Sequence, residues 1–452
     1  MAAPEVQFYD PSVETLSREE LAALQLRKLR ALLDRVMRNN AFYRRKFKAA
    51  GADPGRVQCL DDVRRLPTTS KAEVLDDIEA APPYGERLQV PACEVAQVVE
   101  TSGTSGRIRE VYGLSRGDLD TVFDMEACGF FWAGVRPGVA VFNTLPMHTS
   151  AAGLWYYHGL RNLGANIFQV GTYDTPKKVE YLSRFGGKFL IGSPSYLRRM
   201  LTVAREMGLD PGTDLEVERI LVAGEPFSEA WIHEQESAWG AKVFEQYGST
   251  QRAMAWSCER GVWWKGARGV LHTLPHRVLF EILDVKTRAP VAPGDWGELV
   301  VTPLDAEASP LIRFATGDRV RSLPAEACGC GRTFPGIEAG TVSRLDNMLR
   351  VKGVNLWPEA VDGVVFRFPE IREYKGEVAL GTGDREEIRV RVEVDSGVPS
   401  GTGTALCARL MDDLRASLGL RFEVSLWDGP SLYDAYREGL HKSRRWTDLR
   451  PR

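Results

Sequence analysis

Apolar residues along this chain recur at two different periods, and the places where the period changes mark its organisation. Leu21, Leu24, Leu29, Leu32, Leu33 and Val36 follow one another at helical spacing, and Ser17-Arg18-Glu19-Glu20 ahead of them has the spacing of a capping box. A long amphipathic helix is predicted there, with Arg27, Lys28, Arg30, Arg35 and Arg38 on a solvated face. From about residue 140 to 250 the period shortens. Val139-Ala140-Val141-Phe142, Ile167-Phe168, Phe189-Leu190-Ile191 and Ile220-Leu221-Val222-Ala223 are brief apolar or β-branched runs alternating with helical segments, the rhythm of a wound α/β sheet. Residues 277–283 and 297–302 then read as strands on either side of the turn-rich stretch 284–295, which predicts a β-rich subdomain. After Asp346 the pattern restarts with a strand, a helix opened by Pro358 and the alternating segment 387–394, enough for a separate small α+β domain. No internal repeat or low-complexity tract interrupts it.

Composition narrows the classes of function. A length of 452 residues suits two or three domains at roughly 150 residues each. With 44% apolar and 26% charged residues, the chain has the make-up of an ordinary globular protein. Lys plus Arg is 58 against 61 for Asp plus Glu, a net charge of −3, so no global field recruits nucleic acid or an anionic membrane. The first residues lack a basic stretch followed by an apolar one, and no run approaches the roughly 18 apolar residues of a membrane span. Seven cysteines are an odd, sparse number for a disulfide framework, and a reducing, cytoplasmic compartment is the expectation.

Two groups of residues carry candidate chemistry. Thr101-Ser102-Gly103-Thr104-Ser105-Gly106-Arg107 follows the apolar pair Val98-Val99; its glycines allow close backbone approach, and its amides and hydroxyls suit phosphate oxygens. It does not match G-x-x-x-x-G-K-[ST], so a Walker-type nucleotidase is not supported. Cys258, His272, Cys328 and Cys330 offer one imidazole and three thiols, a possible tetrahedral Zn²⁺ set. The Cys-Gly-Cys spacing is tighter than C-x-x-C, and His276 competes with His272.

The glycine-rich loop resembles the phosphate loop of the acyl-adenylate-forming superfamily, which includes acyl-CoA ligases, and further matches follow in order. Leu145-Pro146-Met147-His148 is similar to the segment beside the acyl pocket, and Gly224-Glu225-Pro226 to the adenine-binding turn. Gln246-Tyr247-Gly248-Ser249-Thr250-Gln251 resembles Y-G-x-[ST]-E, Ile312-Arg313-Phe314-Ala315-Thr316-Gly317-Asp318 resembles R-[YF]-x-T-G-D, and Arg344-Leu345-Asp346-Asn347-Met348-Leu349 resembles the interdomain hinge. Asn40-Ala41-Phe42-Tyr43-Arg44-Arg45-Lys46-Phe47, Leu66-Pro67-Thr68-Thr69-Ser70-Lys71, Val351-Lys352-Gly353-Val354-Asn355-Leu356-Trp357-Pro358 and the tail from Lys442 to Arg450 are similar to the phenylacetate-CoA ligase branch. The resemblance runs from about residue 20 to 450.

That resemblance implies an α/β fold: a large N-terminal adenylate-forming domain over 1–345, wound sheets plus a β-rich subdomain, and a small mobile α+β domain over 346–452. It implies an ATP- and Mg²⁺-dependent enzyme that converts an aryl carboxylic acid to aryl-AMP and passes the acyl group to CoA. A carrier protein, amine or hydroxyl is the alternative acceptor, and a noncatalytic nucleotide-binding regulator is disfavoured because Lys442 and Asp318 are retained. By the same resemblance Lys442 is the catalytic cation of adenylation, Thr250 a helper at the metal and His148 a pocket wall or gate. Asp318 holds the ribose hydroxyls, the 101–106 loop the phosphates, and Gly224, Glu225, Pro226, Gln246, Tyr247, Gly248, Ser249 and Arg344 other parts of the nucleotide. Ser193, Tyr196, Ala223, Gly224, Tyr247 and Gly248 line the acyl pocket, Gly353 lets the pantetheine thiol approach, and Asp346 is a hinge. Similar proteins hold a structural zinc, and a homodimer is a family-level expectation. Four positions depart from the pattern: Gln251 replaces an acid expected to help hold Mg²⁺, Arg107 a lysine, and His441 and Ser343 replace glycines.

Overall fold

A computed structural model describes residues 7–101, 108–352, 354–381, 385–395, 398, 401–432 and 445–450. The chain divides into two compact units, Met1–Gly224 with Glu236–Val342, and Glu225–Gln235 with Ser343–Arg452. The short segment Glu225–Gln235, read from the sequence as part of the first domain, thus groups with the second unit.

The long helix starts where the capping box predicts. Glu20 N–H donates to the Ser17 hydroxyl at 3.2 Å and Ser17 N–H donates to Glu20 Oε2 at 2.9 Å, satisfying two amides that a helix start leaves without partners. Helix Arg18–Asn39 buries Leu21, Leu29, Leu32, Leu33 and Val36, but Leu24 is only half-buried and Gln25 takes the core position. The reason is polar. This helix docks on a loop whose carbonyls need donors: Gln25 Nε2 donates to the Pro275 carbonyl at 2.9 Å, and Lys28 Nζ to the His276 carbonyl at 2.8 Å and to Asp305 Oδ2 at 2.9 Å. Arg35 reaches the Ala306 carbonyl at 3.2 Å, so Lys28 and Arg35 leave the solvated face predicted for them.

Strands β1 (Gln97–Glu100) and β2 (Val111–Leu114) pair antiparallel on either side of the glycine-rich loop. The next five, β3 (Ala140–Asn143), β4 (Asn166–Gln169), β5 (Phe189–Gly192), β6 (Arg219–Ala223) and β7 (Lys242–Gly248), lie parallel in the spatial order β4-β3-β5-β6-β7. The continuous apolar runs of β5 and β6 follow from burial on both faces. β8 (Met254–Ser257) turns the sheet antiparallel. After a short ribbon, β9 (Trp263–Trp264) and β10 (Ala267–Arg268), the strands β11 (Val270–Thr273), β12 (Val278–Leu283), β13 (Trp296–Pro303), β14 (Phe314–Leu323) and β15 (Gly336–Glu338) extend it in the order β8-β11-β15-β14-β13-β12.

The second unit is α+β. Strand Ile371–Leu380 pairs antiparallel with Glu386–Val394, which is flanked by Phe422–Leu426, and Trp446–Asp448 lies on the other edge. Helices Pro358–Val365 and Gly403–Leu418 contribute Val361, Val365, Leu406 and Leu410 to a core with Val390 and Phe422. Among the described residues no helix is long and apolar enough to cross a membrane.

The Leu66-Pro67-Thr68-Thr69-Ser70-Lys71 segment is seated on the start of β14. Thr69 N–H donates to the Arg313 carbonyl at 2.8 Å, Ala315 N–H to the Thr69 carbonyl at 2.9 Å, and the Thr69 hydroxyl to the Ile312 carbonyl at 2.8 Å. Arg313 takes a left-handed backbone, φ 49°, and its buried guanidinium forks onto Glu281 at 2.9 and 2.8 Å while donating to the Arg64 and Leu66 carbonyls. Its role is therefore to hold two segments together. Glu281→Gln leaves this guanidinium buried with its charge unmatched, and the expected loss in stability is about 3 kcal/mol, measured by urea unfolding.

Candidate functional site

The order of the parallel strands reverses at β3, whose successors lie on opposite sides of it, and in such sheets the crevice beyond the carboxyl ends receives ligands. Most of the candidate residues of the first unit fall there. β3 runs into Leu145-Pro146-Met147-His148, β5 into Ser193, β6 into Gly224 and β7 into Ser249-Thr250-Gln251. His148 is exposed rather than in the core, and its Nδ1 accepts Ser150 N–H at 3.0 Å. Glu100 N–H donates to the Thr149 carbonyl at 3.0 Å, drawing the end of β1, and so Thr101, to the same loop. Ser193 caps helix Pro194–Glu206, and the Tyr196 hydroxyl lies 3.2 Å from the Thr175 hydroxyl. Ala223 is half-buried and Gly224 exposed with φ 87°, a conformation that glycine adopts without strain.

Asp318 reaches the site through an irregularity in β14. Glu298 pairs with Arg319 and Val300 with Ala315, so β14 sets four steps against two on β13. Gly317, at φ 74°, absorbs the excess, and the Thr316 hydroxyl stitches the bulge by donating to the Leu299 carbonyl at 2.9 Å and accepting Asp318 N–H at 3.0 Å. Asp318 Oδ2 accepts the Tyr247 hydroxyl at 2.6 Å, which joins the two motifs at one point. Behind Tyr247, Gln246 is buried against the Tyr156 hydroxyl, and a Cβ at Gly248 would stand 2.6 Å from Gln246 Nε2, so a larger residue at 248 would have to displace that amide.

The turn 249–253 closes the β7–β8 hairpin. Ser249 N–H donates to the Ala253 carbonyl at 3.0 Å and Arg252 N–H to the Ser249 carbonyl at 2.9 Å, with Arg252 at φ 64° and its guanidinium on buried Asp118. Thr250 and Gln251 are therefore presented at the tip. Gln251 also touches a residue that no motif singles out, Glu110. Its Nε2 donates to Glu110 Oε2 at 2.8 Å, and Glu110 Oε1 lies 3.1 Å from Lys71 Nζ and 3.5 Å from the Thr101 hydroxyl. Hydroxyl and amide oxygens at this tip are the hard donors that suit Mg²⁺ beside a polyphosphate.

Cys258, His272, Cys328 and Cys330 converge, their four ligand atoms all within 4.8 Å of one another. Cys258 Sγ is 3.5 Å from Cys328 Sγ, and Cys330 Sγ is 3.5 Å from His272 Nε2, close to the spacing of ligands around one tetrahedral ion. Gly329 and Gly331 at φ 63° and 86° make the tight Cys-Gly-Cys loop feasible. His272 Nδ1 lies 3.1 Å from the Phe334 carbonyl, which can only accept, so Nδ1 is a donor there and Nε2 is the nitrogen turned to the thiols. Hydrogen bonds from the Cys258 and Cys328 thiols hold the Cys330 thiol far below the ordinary thiol range. His276 is excluded from the cluster: its ring stacks on Phe334 at 5.5 Å, and burial, then Arg277, push it down to about 3. Just beyond Cys330, buried Arg332 donates to Glu14 at 2.8 Å, Glu259 at 2.9 Å and the Gln7 carbonyl at 2.5 Å, tying the N-terminal segment to this loop.

Glu225, Pro226 and Arg344 belong to the second unit, where Arg344 Nε pairs with Asp346 Oδ1 at 3.0 Å. Ser102, Gly103, Thr104, Ser105, Gly106, Arg107, Gly353, His441 and Lys442 lie outside the described residues.

The sequence pattern of AMP-binding enzymes matches residues 27–303, and the chain belongs to that family. It is 32% identical over 391 residues to the phenylacetate-coenzyme A ligase of Thermus thermophilus, covering 86% of this chain and 84% of that one. With the phenylacetate-coenzyme A ligase of Aromatoleum evansii it shares 29% identity over 453 residues, 97% of each. These likenesses put it in the phenylacetate-CoA ligase-like branch of the acyl-adenylate-forming superfamily, a class of AMP-forming acid–CoA ligases. The crystal structure of 2-hydroxyisobutyryl-CoA ligase in the postadenylation state with 2-HIB-AMP has the same fold, with a TM-score of 0.88 at 23% identity over 99% of this chain and 94% of that one.

Tyr247→Phe removes the hydrogen bond that fixes Asp318. The expected result is a KM for ATP raised by about tenfold, with kcat changed less, in steady-state kinetics.

Proposed function

We propose that this chain joins an aryl carboxylic acid, of the phenylacetate, benzoate or amino- or hydroxybenzoate type, to coenzyme A in two half-reactions. In the first, a carboxylate oxygen attacks the α-phosphorus of ATP and pyrophosphate leaves; in the second, the CoA thiol attacks the acyl carbon and AMP leaves. The observation that carries this reading is the convergence of separate motifs at one crevice, with Tyr247 hydrogen-bonded to Asp318 at 2.6 Å across them. Two anions must meet in the first step, so positioning and positive charge are what the protein has to supply. Lys442 is the cation at the developing oxyanions. Asp318 takes the ribose hydroxyls, and the backbone of Thr101 and the loop after it takes the phosphates. Gly224-Glu225-Pro226 flanks the adenine. Ser193, Tyr196, Ala223, Tyr247 and Gly248, with His148 at the mouth, form walls whose mix of small and aromatic side chains suits a planar ring. Mg²⁺, when bound, neutralises phosphate charge near Thr250 and Gln251. Gly353 admits the pantetheine arm, and Asp346 is the hinge between half-reactions.

The test is pyrophosphate exchange into ATP over a panel of benzoates, phenylacetates and their amino and hydroxy derivatives, with product masses read with and without CoA. Exchange with an acyl-CoA product is expected. Exchange without one moves the acceptor to a carrier protein, amine or hydroxyl, and silence across the panel sinks the aryl reading. Lys442→Ala is expected to cut acid-dependent exchange by about 100-fold or more.

The three cysteines and His272 hold a structural zinc, with no position left open for catalysis. Elemental analysis is expected to find close to one zinc per chain, and Cys330→Ser to lower both that content and the melting temperature; zinc-free protein of unchanged stability would refute it.

A further inference from the structure

The carboxylate missing at position 251 has a neighbour that can stand in for its charge. Glu110 lies between the glycine-rich loop and β2 and is buried, 2% exposed. Its Oε2 accepts from Gln251 Nε2 at 2.8 Å and from the Tyr112 hydroxyl at 2.6 Å; the same Nε2 is 3.2 Å from the Tyr112 oxygen. Burial, then the charge of Glu110, raises the Tyr112 phenol well above its ordinary value, so it remains a protonated donor. Two acceptors around Nε2 fix which way the Gln251 amide is turned. Its Oε1 is on the other branch of the amide, away from Glu110. A second carboxylate at 251 would put like charges about 3 Å apart in a buried setting, where one of them must give up its charge.

We propose that Gln251 Oε1 is a neutral oxygen ligand for the divalent cation that accompanies ATP, and that Glu110 is the positioning residue that turns the amide and supplies the negative charge behind it. The negative charge of the motif has thus moved by one hydrogen bond rather than disappeared. Amide oxygens serve as ligands for hard cations, and groups that orient a ligand from behind govern metal affinity nearly as strongly as the ligand itself. Lys71, 3.1 Å from Glu110 Oε1, holds the opposite oxygen in place. This inference rests on the ATP-dependent reading above.

The experiment measures ATP binding calorimetrically in the absence of any carboxylic acid, over a series of Mg²⁺ concentrations and in EDTA. For the wild type, Mg²⁺ strengthens ATP binding. Glu110→Gln is expected to raise the Mg²⁺ concentration needed for half of that gain by about tenfold or more, while leaving the affinity in EDTA unchanged. Gln251→Glu is expected to do the same through crowding of two carboxylates, and the exchange Glu110→Gln with Gln251→Glu to recover most of the loss. Unchanged Mg²⁺ dependence in Glu110→Gln overturns the proposal. So does a double exchange no better than either single variant, or an equal loss with and without Mg²⁺, the mark of a purely structural residue. Melting curves accompany each variant; if Glu110→Gln does not fold, comparison of Gln251→Glu with the double exchange decides. Wild-type protein that binds no ATP under any condition overturns the functional reading instead.

Discussion

One hydrogen bond, from the Tyr247 hydroxyl to Asp318, depends on the curvature of the whole sheet of the first unit. Tyr247 lies on β7 and Asp318 on β14, with β8, β11 and β15 paired in between. Four strand spacings in a flat sheet come to roughly 19 Å, too far for two side chains to bridge. The antiparallel half must curl back over the carboxyl ends of the parallel half, and the bulge at Thr316-Gly317-Asp318 supplies the last part of the reach. A nucleotide in the crevice would then meet strands of both kinds, parallel for the loops and antiparallel for the clamp.

Polar anchoring around the crevice follows the same logic. A buried carboxylate is costly unless its oxygens are all occupied. Asp118 accepts the amides of Glu307 and Ala308, both at 2.9 Å, as well as the Arg252 guanidinium. It therefore ties the tip of the β7–β8 hairpin to the loop on which the N-terminal helix docks through Lys28 and Asp305. Arg252 and Arg313, which make two of these ties, each take a positive φ.

Much of this was legible in the sequence because periodicity and capping are local. The Ser17 box, four of the five parallel strands (β3 to β6) and the Pro358 helix all lie where the patterns put them. Contacts made through folding were not legible. Nothing in the sequence around Glu110 marks it, and its partner is 141 residues away; the acid absent at 251 was the one signal that a displaced carboxylate was worth seeking. Lys28 and Arg35 read as surface because a helix wheel does not show the carbonyls of the loop beneath. Spacing left His272 and His276 as rivals for the thiols, and only the pairing of β11 with β8 and β15 separates them. Nor does alternation reveal the extra residues in β14, since a bulge breaks the very period used to find strands.

The tie between Glu14 and Arg332 has a consequence for how the chain is made. The two residues are 318 positions apart, and the Glu14 carboxylate also accepts the Trp132 indole N–H at 3.0 Å. At about 5–20 residues per second, ribosomal synthesis delivers Arg332 roughly 15–60 s after Glu14 has emerged. Through that interval Glu14 lacks the Arg332 guanidinium, so this tie closes only late in synthesis.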